Sequence, residues 1–172
     1  MDLSKKPKDE GMELGFAVPE TGEYIMQITE GIDLWKPEES QARAVMVPLR
    51  VDSVVNGKGS EESIDRKVTY FIMLTSKEGK HIQFGDAQLV NLLNCTDLLD
   101  GFAKKYQGDV DPFNEKFLGD LKLRLVGKFL RISGEKKKDS KDKDRFNITG
   151  VYPAKTTSKA TAPKAAPAGA DW

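Results

Sequence analysis

Apolar and polar residues alternate along several stretches of the chain. In Glu23–Thr29, Tyr24, Met26 and Ile28 share one face, and Glu23, Gln27 and Thr29 share the other. A period of two predicts a strand. Ala42–Val55 is the clearest strand, with Val45, Val47, Leu49, Val51 and Val55 on one parity and Arg50 and Asp52 on the other. Pro48 inside it predicts an edge position or a bulge, because proline lacks the N–H that a central ladder uses. Lys67–Leu74 is a third strand, with Val68, Tyr70, Ile72 and Leu74 in one register. The period then changes. Leu89, Leu92, Leu93, Leu98, Leu99 and Phe102 within Asp86–Tyr106 fit one or two helices, with a break near Cys95-Thr96-Asp97 and Asp97 placed to cap the second. Asp111-Pro112 opens a short helical turn with Phe113 and Phe117. Lys122–Glu135 returns to strand character, interrupted at Gly127-Lys128. Arg145–Tyr152 is the last strand, with Phe146, Ile148 and Tyr152 in phase.

Between these elements lie turn signals. Pro19-Glu20-Thr21-Gly22 precedes the first strand, Trp35–Ser40 reads as a loop, and Asn56-Gly57-Lys58-Gly59-Ser60 reads as a tight turn. Residues 1–14 are polar and aperiodic and are expected to be flexible. Residues 15–153 form the expected single domain. Residues 154–172 are mainly Ala, Pro, Lys and Thr, a composition that cannot bury a core. The order is three strands, a helical block, then two strands. That order predicts a mainly β fold with a helical insert, an OB-fold-like five-stranded Greek-key barrel with helices between strands three and four. Other small β barrels share this string of elements.

A chain of 172 residues with 38% hydrophobic and 31% charged residues suits one soluble domain with a modest core. The N-terminus lacks the apolar run of a signal peptide, and the longest apolar runs, such as Phe71–Leu74, are too short to span a bilayer. Cys95 is the single cysteine and has no internal disulfide partner. A reducing cytoplasm is the expected compartment. Charge is neutral overall but sorted along the chain. Residues 1–115 hold 13 Lys/Arg against 21 Asp/Glu, a balance of −8; residues 116–172 hold 14 against 6, a balance of +8. Such asymmetry suggests contact with nucleic acid or another polyanion. The basic stretch includes the loop Glu135–Asp144, EKKKDSKDKD.

Enzyme chemistry finds little footing. His81 is the only histidine, so no Cys–His or Ser–His arrangement rises above chance. No phosphate-cradling GxxxxGK[ST] occurs, and Gly57-Lys58-Gly59 reads as a hairpin turn. Glu61-Glu62 and Asp109/Asp111 resemble ordinary surface acids as much as a cation site. The chain is expected not to be an enzyme and to need no cofactor.

Four stretches carry a family likeness: VPETGEYIMQITEG, IDRKVTYFIML, LVGKFLRIS and FNITGVYPA, the last running into an Ala/Pro-rich tail that ends in Trp. In their order and spacing, from about Val18 to Ala154, the chain resembles a group of bacteriophage and prophage proteins similar to single-stranded DNA-binding OB-fold proteins. The linker Gly108–Asp120 is longer than that pattern expects. The resemblance implies sequence-tolerant binding of single-stranded DNA during phage replication or recombination, in the host cytoplasm.

Sequence-tolerant single-strand binders combine a cationic groove with aromatic faces on which bases stack. On the predicted registers, Phe71 lies opposite Tyr70, beside Lys67, and either stacks on a base or packs beneath the helices or a second subunit. Phe129 and Arg131 share the outer face of the fourth strand, with Phe129 alternatively a plug at the barrel end. Trp35 and Lys36 follow strand one, where Trp35 either meets the ligand or covers the core. Arg50, Lys67 and Lys128 are sheet cations suited to a groove. Lys136, Lys137 and Lys138, with Lys141 and Lys143, lie in the predicted loop between the last two strands and either clasp a DNA backbone or solvate the loop, with Asp139, Asp142 and Asp144 diluting the charge. Asp171 and Trp172 at the tail tip suit recruitment of replication or recombination proteins, or are merely the end of a linker. A homo-oligomer is compatible with the sequence. The rival reading is a phage protein-interaction module that binds a replication or recombination factor without touching DNA.

Overall fold

The computed structural model describes residues 17–154, so the N-terminal segment and the tail bearing Asp171 and Trp172 lie outside the described residues. Six strands form one antiparallel sheet. They are β1 (Gly22–Ile28), β2 (Asp33–Trp35), β3 (Arg43–Val54), β4 (Lys67–Thr75), β5 (Phe129–Lys138) and β6 (Asp144–Pro153). A 3-10 turn, Glu61–Ser63, precedes β4. The helices α1 (Gln83–Cys95), α2 (Leu99–Lys105) and α3 (Glu115–Leu125) lie between β4 and β5. β3 is bonded on both edges: β1 and then β2 run along one, and β4 along the other. The far edge of β1 pairs with β5, and β5 pairs with β6. β4 and β6 are not paired, so the sheet is open. Helix α1 packs against both of these strands. Asn91 of α1 donates to the Val151 carbonyl of β6 at 3.2 Å. Gly85 lets the start of α1 approach β4, since a Cβ there would meet the Met73 carbonyl oxygen at 1.8 Å.

Alternation decides which face is buried. Tyr24, Met26 and Ile28, then Val45, Val47, Leu49 and Val51, then Ile72, Leu74, Leu130 and Ile132 point into one core. Leu92, Leu121 and Leu125 of the helices close it from the other side. Each such side chain contributes about 1.5–3 kcal/mol by leaving water. The buried Tyr24 hydroxyl donates to the Glu20 carbonyl at 2.8 Å and accepts from the Ser60 N–H at 3.0 Å.

Several boundaries differ from the sequence expectation. Trp35 is in strand β2 rather than a loop, so the sheet has six strands rather than five. β2 is short and borrows its order from β3, which its own sequence does not announce. Leu121, Leu123 and Leu125 alternate with Lys122 and Arg124 and so imitate a strand, yet they belong to α3. Leu121 and Leu125, one helical turn apart, are fully buried, while Leu123 is 71% exposed. Asn114 starts this helix by accepting from the Lys116 and Phe117 N–H groups at 2.9 and 3.2 Å. Asp97 does not cap α2. Leu98 is the capping position, without a side-chain bond, and Asp97 takes a left-handed conformation at φ 60°. Lys136, Lys137 and Lys138 extend β5 rather than lie in a loop, which shrinks the turn to residues 139–143.

Pro48 sits in a strand bonded on both sides, not at an edge. Its carbonyl accepts from the Thr29 N–H at 2.9 Å, where β1 has ended and β2 has not begun. Along a strand a residue's N–H and C=O point to the same side, so the missing N–H of Pro48 falls in this break.

A polar contact joins the helical block. The Tyr106 hydroxyl, just past α2, donates to the Asp120 carboxylate of α3, and Lys105 Nζ lies 2.6 Å from the same oxygen. Burial acts to raise the Asp120 pKa, but the hydrogen bonds and charge of Lys105 and the Tyr106 hydroxyl outweigh it and hold the carboxyl below its usual value. A lowered carboxylate pKa adds stability that is present above the unfolded value, about 3.9, and is lost as pH falls through the folded value. Asp120→Asn is therefore expected to lose about 1.5–3 kcal/mol at pH 7 through its weakened charged hydrogen bonds. Urea midpoints across pH 7 to 3 check this, with the gap to wild type narrowing below about pH 4.

Candidate nucleic-acid interface

The face of the sheet turned away from the core carries most of the predicted site residues. Lys67 of β4, Arg50 of β3, Gln27 of β1 and Phe129 of β5 are successive register partners across four strands. All four have the parity opposite to the buried residues of their strands. With strands roughly 4.8 Å apart, this rung spans about 14 Å. Further along β4, Phe71 pairs with Met46, whose other partner is Asp33 of β2. Trp35 of β2 reaches Phe71, with ring centroids 5.8 Å apart at 79°, edge to face. Phe71 is 45% exposed and Trp35 36% exposed, so neither covers the core. Lys36 follows Trp35 and is exposed, and Lys128 is half-buried beside Phe129.

On the other side of the rung, Arg131 pairs with Ile25 of β1 and Tyr152 of β6. Its guanidinium carbon lies 4.3 Å from the Tyr152 ring centroid. The sequence pattern placed Tyr152 in phase with Phe146 and Ile148. A bulge reverses that phase: Ser133 pairs with Gly150, but the next residue, Gly134, pairs with Ile148, leaving Thr149 extra. Phe146 stays buried while Tyr152 turns outward, 40% exposed. Its ring lies across Gly150, where a Cβ would come within 2.5 Å of it. Gly150 inside a strand was the one sequence signal of this bulge.

Both arginines of this face are paired. Arg50 Nη1 lies 2.6 Å from Asp65 Oδ1, and its Nη2 donates to Gln27 Oε1 at 3.1 Å. Arg131 Nη1 lies 2.5 Å from Glu23 Oε1, and Lys58 Nζ lies 3.3 Å from Glu23 Oε2. Sequence parity finds the arginines but not their acidic partners, since Asp65 comes from the turn before β4 and Glu23 from β1.

The basic hairpin is a separate feature. Lys136 pairs with Glu20 at 2.9 Å, Lys137 with Glu135 at 3.1 Å, and Lys138 with Asp144 at 3.2 Å. Asp139 organises the turn, accepting from the Lys141 and Lys143 N–H groups at 2.8 and 3.0 Å and from Arg145 Nε at 2.9 Å. The Lys143 N–H, then Arg145, lower its pKa to about 2. His81, the only histidine, bridges to Thr75 at the end of β4 and pairs with Asp86 of α1 at 2.7 Å. Chemically, the outer face offers flat apolar rings for stacking and guanidinium and ammonium groups for anions.

Asp139→Ala is expected to loosen the hairpin turn alone. Amide exchange at Lys141 and Lys143 should accelerate more than tenfold, with a melting midpoint within about 3 °C of wild type, because the turn is solvent-exposed and far from the core. Neither protein-family models nor curated proteins yield a match to this chain.

Proposed function

We propose that the chain is a sequence-tolerant single-stranded DNA-binding protein that uses the outer face of β3 and β4. The observation that carries this reading is the gathering of Trp35, Phe71 and Phe129 with Arg50 and Lys67 on one accessible sheet face. An unpaired base exposes its ring for stacking on such a surface, at about 1–3 kcal/mol per base, whereas a duplex keeps its ring faces inside. The nearby cations take the phosphates.

The strand path supports an OB-like scaffold. Setting the short β2 aside, the five long strands pair first with second, second with third, first with fourth and fourth with fifth, with helices between third and fourth. In an OB-fold the second and third strands, and the loops after the first and fourth, meet oligonucleotides. Here these are β3 and β4, the segment bearing Trp35 and Lys36, and the turn at residues 139–143. The seam between third and fifth strands, β4 and β6, is bridged by α1 rather than by hydrogen bonds. The resemblance of four stretches to phage and prophage single-strand binders supports a role in phage DNA replication or recombination.

Fluorescence anisotropy of a labelled oligo-dT across a salt series tests the reading. Binding that weakens with salt and resists duplex competition is expected. Phe71→Ala and Trp35→Ala should each weaken it by about 5- to 150-fold, the loss of one stacked base. Absence of binding at low salt would sink this function and leave the protein-interaction reading. Wild-type affinity in both variants would move the site off this face.

A further inference from the structure

A carboxylate occupies the binding face where a phosphate is expected. Glu23 projects from β1 with its two oxygens divided between two cations, Arg131 at 2.5 Å and Lys58 at 3.3 Å. A guanidinium offers a planar fork of donors that matches both oxygens of a carboxylate or a phosphate. Glu23 engages only the Nη1 prong of Arg131. The Nε of Arg131 is buried and has no hydrogen-bond partner among the described residues. The ring of Tyr152 covers one face of the guanidinium. Arg131 is thus held and charge-neutralised, yet not fully satisfied, and a buried unpaired donor is costly.

We infer that Glu23 is an internal stand-in for a backbone phosphate, a built-in competitor that sets how much of the DNA affinity comes from charge. This rests on the single-stranded DNA reading of the outer face. A phosphate that displaces Glu23 takes over the Nη1 donor of Arg131 and the ammonium of Lys58. Displacement costs the Glu23 pairs, and the cost falls on any polyanion that approaches. Only a ligand whose bases also stack has a second contribution to offset it. Binding through phosphates alone, as with duplex DNA, is held down, while single strands gain from Trp35, Phe71 and Phe129. Asp65 stands to Arg50 in a similar way, at 2.6 Å.

Glu23→Gln keeps the shape and removes the charge. Measured by anisotropy with oligo-dT and a duplex of equal length, it is expected to tighten binding of both by about 3- to 10-fold at low salt. The slope of log affinity against log salt for oligo-dT should steepen by about 0.7, the signature of one added phosphate contact. Glu23→Asp, one methylene shorter, should move both readouts the same way by less, and serves if Glu23→Gln folds poorly. Asp52→Asn, which neutralises an exposed acid of β3, should leave the slope unchanged. An equal change in Asp52→Asn would overturn the inference, since a general loss of negative charge would explain everything. Unchanged or weaker binding in Glu23→Gln would also overturn it, the latter by making Glu23 the residue that orients Arg131. Failure of the wild type to bind oligo-dT would bring down the functional reading itself, a result separable from these.

Discussion

Strand β3 hydrogen-bonds along both of its edges, to β1 and β2 on one side and to β4 on the other, and its position governs the remaining elements. Its inward row of Val45, Val47, Leu49 and Val51 fixes which parity of every neighbouring strand faces the core. The outward row, including Met46 and Arg50, then lies level with Phe71, Lys67 and Gln27. A slip of one residue in this strand would exchange the core face and the outer face together. The Tyr24 hydroxyl of β1, bonded to the Ser60 N–H just after β3, ties these two strands at one end.

The open seam is the second organising feature. β4 and β6 do not pair with each other, and α1 lies against both. Helical cover is one of the ways in which proteins blunt exposed strand edges. Asn91 bonds a β6 carbonyl directly, and Gly85 allows close approach to β4. The helical block thereby covers the seam between β4 and β6.

That face combines exposed rings with arginines that are neutralised from within. Its arginines are ordered by carboxylates from β1 and from the turn before β4. The lysine-rich hairpin follows the same logic, each lysine of β5 meeting a nearby acid.

Much of this was legible in the chain. Alternation in Glu23–Thr29, Ala42–Val55 and Lys67–Leu74 located three strands and assigned Tyr70 inward and Phe71 outward, because burial of one face of a sheet imposes a period of two. The same rule put Phe129 and Arg131 on the outer face. Long-range pairing decided the rest. Trp35 became a strand residue because β3 offered it hydrogen bonds, and Leu121–Leu125 became helix because only two of its three leucines meet the core. Tyr152 faced outward because one extra residue, Thr149, reversed the phase. The acids Glu23 and Asp65 met the arginines only through contacts between separate elements. Local periodicity reports which side of an element is apolar; which elements meet, and which charges neutralise one another, depends on chain closure that no local pattern encodes.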